Sequence, residues 1–134
     1  MVINMVAIIY DAGNIKSVEK ALLYLGEEAV ITRDRDAILR ADRVILPGVG
    51  AFGDAMDKLR TYGLDKVIQE VVGQNTPFLG ICLGLQLLFE SSEESEGVEG
   101  LGILKGKVVR LPEESDLYRG TVLQKMWQAI RRPE

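Results

Sequence analysis

The sequence predicts an α/β domain built on an open, mainly parallel sheet with helices on both faces. Short, nearly continuous apolar runs of the kind that suit strands buried on both sides recur along the chain. Between them lie segments whose apolar residues fall at i, i+3, i+4 and i+7, the spacing of one helix face. Strands alternating with amphipathic helices favour parallel pairing through right-handed crossovers. Size agrees: 134 residues, 47% of them hydrophobic, suffice for one domain with its own core and no need of a disulfide or structural metal.

Met5 to Tyr10 reads as a buried strand, and Asp11-Ala12-Gly13-Asn14 as the turn that ends it. Val18, Ala21, Leu22 and Leu25 then mark a helix, with Gly26 placed to cap it. Ala29 to Thr32 is a second strand, and Asp36 precedes a short helix over 37–40. Val44-Ile45-Leu46 is a third strand that runs into Pro47-Gly48-Val49-Gly50, where proline and two glycines are expected to end it. A helical pattern covers 55–59, and Leu64, Val67, Ile68, Val71 and Val72 give a second, stronger stripe. Pro77 to Ile81 is the fourth strand, feeding Cys82 and a helix that carries Leu85, Leu88 and Phe89. The acidic stretch 91–99 reads as a solvated loop, and 100–103 and 107–110 as short strands. After Pro112 the pattern changes to a tail, 113–134, in which Val122, Leu123, Met126, Trp127 and Ile130 predict a terminal helix.

Composition narrows function. Sixteen Lys and Arg against 20 Asp and Glu leave a net charge of −4 and no basic excess to neutralise a phosphate backbone, so nucleic acid is not an expected partner. No apolar run approaches the roughly 18 to 20 residues of a membrane span. One cysteine cannot form an internal disulfide, and the first residues lack the basic start and cleavage site of a signal peptide, so the cytoplasm is the expected compartment. The absence of histidine excludes a histidine general base and histidine-containing zinc sites within these residues.

Gly80-Ile81-Cys82-Leu83-Gly84 has the form G-x-C-x-G between a strand and a helix, the thiol counterpart of a nucleophile elbow. Glycines suit both flanks because side chains there would collide with neighbouring strands. Cys82 would stand at the helix start, where unpaired N–H groups and the helix dipole favour negative charge, with the Leu83 N–H aimed at an oxyanion. A lone cysteine at a strand end is equally readable as a small buried hydrophobe. Pro47-Gly48-Val49-Gly50 would open on the same carboxyl edge of the sheet, where open α/β sheets bind ligands, although an ordinary strand-to-helix turn also explains it.

Taken together, residues 47–56 (PGVGAFGDAM) and 80–90 (GICLGLQLLFE) resemble the class I glutamine amidotransferases, whose sheet is flavodoxin-like, and in particular the glutaminase subunit of imidazole glycerol phosphate synthase of histidine biosynthesis. Residues 10–18 also look like that subunit's first loop and helix, and the likeness extends to about Pro112. The resemblance implies Cys82 as the nucleophile that forms a γ-glutamyl thioester, with the backbones of Leu83 and Val49 as oxyanion donors. It implies that Gly48, Gly50, Gly84, Gln86 and Glu94 hold the glutamine substrate. It further implies a (β/α)8-barrel synthase partner that receives ammonia near Asn14 and the PGVG loop, and no cofactor or metal.

The resemblance also implies a departure. Family members complete a Cys-His-Glu triad with a later His-x-Glu pair, which this sequence does not contain, so impaired glutaminase activity is expected. Two other readings stand beside it. The chain could be a non-catalytic module that docks on a barrel, or on a second copy through the terminal helix. It could equally be a shortened or frameshifted form of a longer subunit, a possibility raised by the change of pattern after Pro112.

Overall fold

The computed structural model describes residues 5–9, 15–111 and 127–131. Its elements run β1 (Met5–Ile9), α1 (Ile15–Tyr24), β2 (Glu28–Thr32), α2 (Arg35–Arg40), β3 (Arg43–Gly48), α3 (Phe52–Thr61), α4 (Leu64–Gly73), β4 (Phe78–Cys82), α5 (Leu83–Leu87), β5 (Ser91–Ser92), β6 (Gly106–Arg110) and β7 (Trp127–Arg131). The first four strands form one parallel sheet in the order β2-β1-β3-β4, the start of a flavodoxin-like order. With right-handed crossovers, the step from β1 out to β2 puts α1 on one face, and the steps back across to β3 and β4 put α2, α3 and α4 on the other. The α/β class expected from the sequence is the one observed.

Helix boundaries follow from local chemistry. Gly26 (φ +81°) closes α1 as expected: Glu27 N–H donates to the Leu22 carbonyl at 2.9 Å and Gly26 N–H to that of Leu23 at 3.0 Å, the paired bonds of a Schellman cap. The second helix begins earlier than expected, because Asp34 rather than Asp36 caps it, its carboxylate accepting from Ala37 N–H at 3.0 Å. The core forms where β3 meets the α3–α4–α5 layer. Phe52, Met56, Leu64, Ile68, Val71 and Leu87 are almost wholly buried there. The α4 stripe lies where its spacing placed it, whereas Leu25 of the α1 stripe stays 70% exposed, since α1 lies over β2 at the margin of the sheet.

Three expectations are corrected. First, β3 does not end before its proline but runs through Pro47 and Gly48, which pair with Ile81 and Cys82. Val44 N–H donates toward β4, to the Pro77 carbonyl. Alternation then turns the backbone of Pro47 toward the β1 side, where the described ladder stops at Ile45, so the missing N–H breaks no described bond. Second, α5 ends at Leu87 with Leu85 exposed, and residues 100–104 form a loop rather than a strand. The reason is shared: the N–H groups of Leu101, Gly102 and Leu104 donate to the carbonyls of Leu87, Phe89 and Leu88, capping the end of α5. Third, Trp127–Arg131 is a strand paired antiparallel with β6, not part of a helix. Sheet pairing there outweighs the helical spacing, since the edge of β6 offers a row of backbone groups for a strand to pair with. The rest of the expected terminal helix, and with it the surface for self-association, lies outside the described residues, as does Asn14.

Ile68→Ala is expected to cost about 2–5 kcal/mol in urea unfolding, because the side chain is completely buried. Gly73→Ala, at the end of α4 with open space around it, should leave stability unchanged or raise it by up to about 1 kcal/mol. Equal effects for the two variants would contradict this placement of the core.

Candidate active site

The turn from β4 into α5 is made at Cys82, whose backbone takes φ +54° and ψ −122°. Asn75 is the other described non-glycine residue with positive φ. Such a conformation costs on the order of 1–3 kcal/mol and persists only where the surroundings impose it. Here the surroundings are backbone. A Cβ on Gly80 would stand 2.7 Å from Leu85 Cα, and one on Gly48 would stand 2.9 Å from Gly84 N. A Cβ on Gly84 would overlap the carbonyl oxygen of Leu46. The first turn of α5 is therefore pressed directly onto the ends of β3 and β4, and the chain can leave β4 only by turning sharply. The tight turn leaves Cys82 exposed rather than buried, which removes the reading of a small core hydrophobe.

The ladder sets Gly48 beside Cys82, so the loop that leaves β3 starts alongside the cysteine. Val49 is 52% exposed and Gly50 adopts φ +96°. That loop leads into α3, whose N-cap position holds Ala51, a residue with no side-chain acceptor. The acceptors come from a distant segment instead: Phe52 N–H donates to Glu94 Oε2 at 3.2 Å and Gly53 N–H to Ser95 Oγ at 2.9 Å. Stretch 91–99 is thus more than a solvated loop. Ser92 is buried, and its Oγ accepts from Glu94 N–H at 3.2 Å.

The structure brings together Cys82, Leu83, Gly84 and Gly48, continues directly to Val49 and Gly50, and ties Glu94 to the far end of the same loop. Gln86 lies one turn along α5 from Cys82 and is half-buried. A cavity of about 170 Å³ opens against the loop between Pro47 and Ala51, with Asp54 and Lys58 on its α3 side; Cys82 does not line it. Sequence reasoning missed Ser95. The signal was the helix start itself, since Ala51-Phe52-Gly53 supplies no cap and so requires acceptors from elsewhere. Among the described residues, no three His, Cys, Asp or Glu side chains gather as metal ligands would. No helix among them is long and apolar enough to cross a membrane.

Comparison with known proteins bears on this geometry. Residues 9–117 match the CobB/CobQ-like glutamine amidotransferase domain. The chain is 56% identical over 108 residues to the imidazole glycerol phosphate synthase subunit HisH of Bacillus cereus, covering 80% of this chain and 52% of that protein. It is 50% identical over 111 residues to the HisH of Listeria monocytogenes, covering 83% and 53%. The chain thus spans about half the length of the curated relatives it matches. Among solved structures, a glutamine amidotransferase superposes with a TM-score of 0.70 at 21% identity over 94% of this chain and 70% of that one. A peptidase E-like protein of Listeria monocytogenes superposes with a TM-score of 0.62 at 16% identity over 75% and 63%. At such identities the structural likeness concerns the fold.

Gly84→Ala is expected to destabilise the chain by about 3 kcal/mol or more, or to prevent folding, because the added methyl meets main chain that cannot yield. Circular dichroism during urea titration measures this. A stability within about 0.5 kcal/mol of the parent would show that the α5–β3 contact is looser than described.

Proposed function

The chain belongs to the CobB/CobQ-like glutamine amidotransferase family, and we propose that it carries the nucleophile half of a glutaminase that supplies ammonia to imidazole glycerol phosphate synthase. The observation that carries this reading is the exposed Cys82, held at φ +54° on a strand-to-helix turn beside the loop from β3. In this reading the Cys82 sulfur attacks the carboxamide carbon of glutamine. The carbonyl oxygen takes up negative charge facing the Leu83 N–H, the first amide of α5 and one the helix itself leaves unused. The backbone of Val49 supplies the second donor. Gly48, Gly50, Gly84 and Gln86 border the substrate, and Glu94 receives its α-ammonium group.

Collapse of this intermediate breaks the C–N bond; the nitrogen takes up a proton and leaves as ammonia, and a γ-glutamyl thioester remains on sulfur. Water then attacks the thioester carbon, releasing glutamate and restoring the thiol. Both steps need a proton carrier, and these 134 residues contain no histidine to act as one. Proton transfer falls to water, and turnover by this chain alone is slow. The HisH relatives are named as subunits of a synthase, which supports a synthase partner; by family resemblance that partner is a (β/α)8 barrel that meets the chain at the PGVG loop. A cytoplasmic setting suits a chain whose one thiol must stay reduced to react.

A chloromethyl ketone analogue of glutamine is expected to alkylate the purified chain at Cys82, glutamine should slow that reaction, and Cys82→Ala should abolish it. Mass spectrometry of the labelled peptide reads this directly. Glutamine hydrolysis by the same chain should fall at least about a thousandfold below that of a full-length relative. Labelling that glutamine does not slow would overturn the substrate assignment, and turnover at the relative's rate would overturn the account of the proton carrier.

A further inference from the structure

The loop beside Cys82 is short and is held at both ends. At one end Gly48 is locked in the β3–β4 ladder opposite Cys82. At the other, the first two amides of α3 are held from outside by Glu94 and Ser95. Only residues 49–51 lie between, one of them Gly50 at φ +96°, so the direction in which the Val49 backbone points depends on where α3 begins. We propose that Ser95 is a positioning residue for this loop. It pins the start of α3 and thereby fixes the backbone of residues 49–51 in front of Cys82.

The post that carries Ser95 is itself firm. Glu93 N–H donates to the Val108 carbonyl at 3.0 Å, and Arg110 N–H returns to Glu93 Oε2 at 3.2 Å, which fastens the segment to β6. Ser95 N–H donates to the Ser92 carbonyl, and Val98 N–H to that of Ser95, each at 3.2 Å, closing a compact turn around the hydroxyl. The fit to α3 is close: a Cβ on Gly53 would stand 3.0 Å from Ser95 Oγ and 3.2 Å from its Cβ. Ser95 and Glu94 differ in one respect. On the glutaminase reading, Glu94 is drawn to the substrate's ammonium group and away from Phe52 N–H. Ser95 then remains as the bond that keeps α3, and with it the Val49 backbone, in place.

The test is ¹⁵N relaxation on the full 134-residue chain. In the parent, the amides of Gly50 and Ala51 should have order parameters near about 0.85, and in Ser95→Ala they should fall below about 0.6, with Val67 to Val71 of α4 unchanged. Ser95→Thr, which keeps the hydroxyl, should restore order. Gly53→Ala, which presses on the same contact from the other side, should disorder the loop as Ser95→Ala does. The ratio of Cys82 alkylation by the glutamine chloromethyl ketone to that by iodoacetamide should fall about tenfold in Ser95→Ala, less than the hundredfold or more lost with an outright oxyanion donor. The proposal is overturned if the loop keeps its order in Ser95→Ala, if it is already disordered in the parent, or if the loss spreads equally to α4. If the parent shows no protection by glutamine, the glutaminase reading fails, while the relaxation result on Ser95 is decided independently.

Discussion

The direct contact of α5 with the end of β3 is the constraint on which this structure turns. Three glycines allow it: Gly48 and Gly80 on the strands and Gly84 on the helix. Were any of them to carry a side chain, α5 would have to stand farther from the sheet, and the chain would no longer need to turn so sharply at Cys82. The strain at that residue is therefore sustained by packing elsewhere, in the burial of Leu83 and Leu87 against the α3 layer. Position and exposure of the thiol follow from the same contact. A cysteine in a relaxed strand-to-helix connection would sit lower, among the apolar side chains of the core.

A second constraint acts through the segment that follows α5. Residues 90–104 meet both helices that border the cysteine, but at opposite ends. Glu94 and Ser95 accept from the opening amides of α3, while Leu101, Gly102 and Leu104 donate to the closing carbonyls around α5. Each helix thus obtains from one shared segment the hydrogen bonds its own sequence does not provide. A Cβ on Gly100 would overlap the Phe89 carbonyl oxygen, so this crossing, too, depends on backbone lying against backbone. The small sheet of β5, β6 and β7 is the frame for it, with Glu93 bound to β6 through both its amide and its carboxylate.

What could be read in the sequence divides along physical lines. Apolar runs mark strands and one-sided burial leaves a helical period, so the four parallel strands and the strong α4 stripe were legible, although β2 and β4 stay partly exposed while β3 is buried from Val44 to Gly48. The elbow was legible because steric exclusion at Gly80 and Gly84 restricts residue choice at fixed spacing. Features set by distant partners were not. Strand β3 continues through Pro47 because the missing donor faces the side where the described β1 ladder has stopped, a fact of topology rather than of local preference. Residues 100–103 looked like a short strand but belong to a loop that caps α5, since local composition does not say which carbonyls its amides will find. Trp127–Arg131 has a helical spacing yet pairs with β6, because the spacing of side chains does not say which open strand edge the backbone will meet. Ser95 was invisible as a single polar residue in an acidic stretch and became meaningful only beside the uncapped start of α3.

These divisions explain how the sharp turn at Cys82 can be fully shaped in residues that hold no histidine. The contacts that bend the chain at Cys82 are of backbone with backbone between Leu46 and Leu85, and the burial of Leu83 and Leu87 holds them. Among the described residues, the hydrogen bonds that hold the facing loop lie between Gly48 and Arg110. A proton carrier contributes to neither set of contacts, so the elbow does not require one in order to form. Chemistry and geometry separate at this point: the fold presents the sulfur beside the loop from β3 by local means, whereas the proposed hydrolysis needs a further group to move protons. The outer side of β4 makes the same distinction visible. Among the described residues no strand pairs with it, and Leu79 is 54% exposed, yet the inner side that faces β3 is complete and is the side that positions the cysteine.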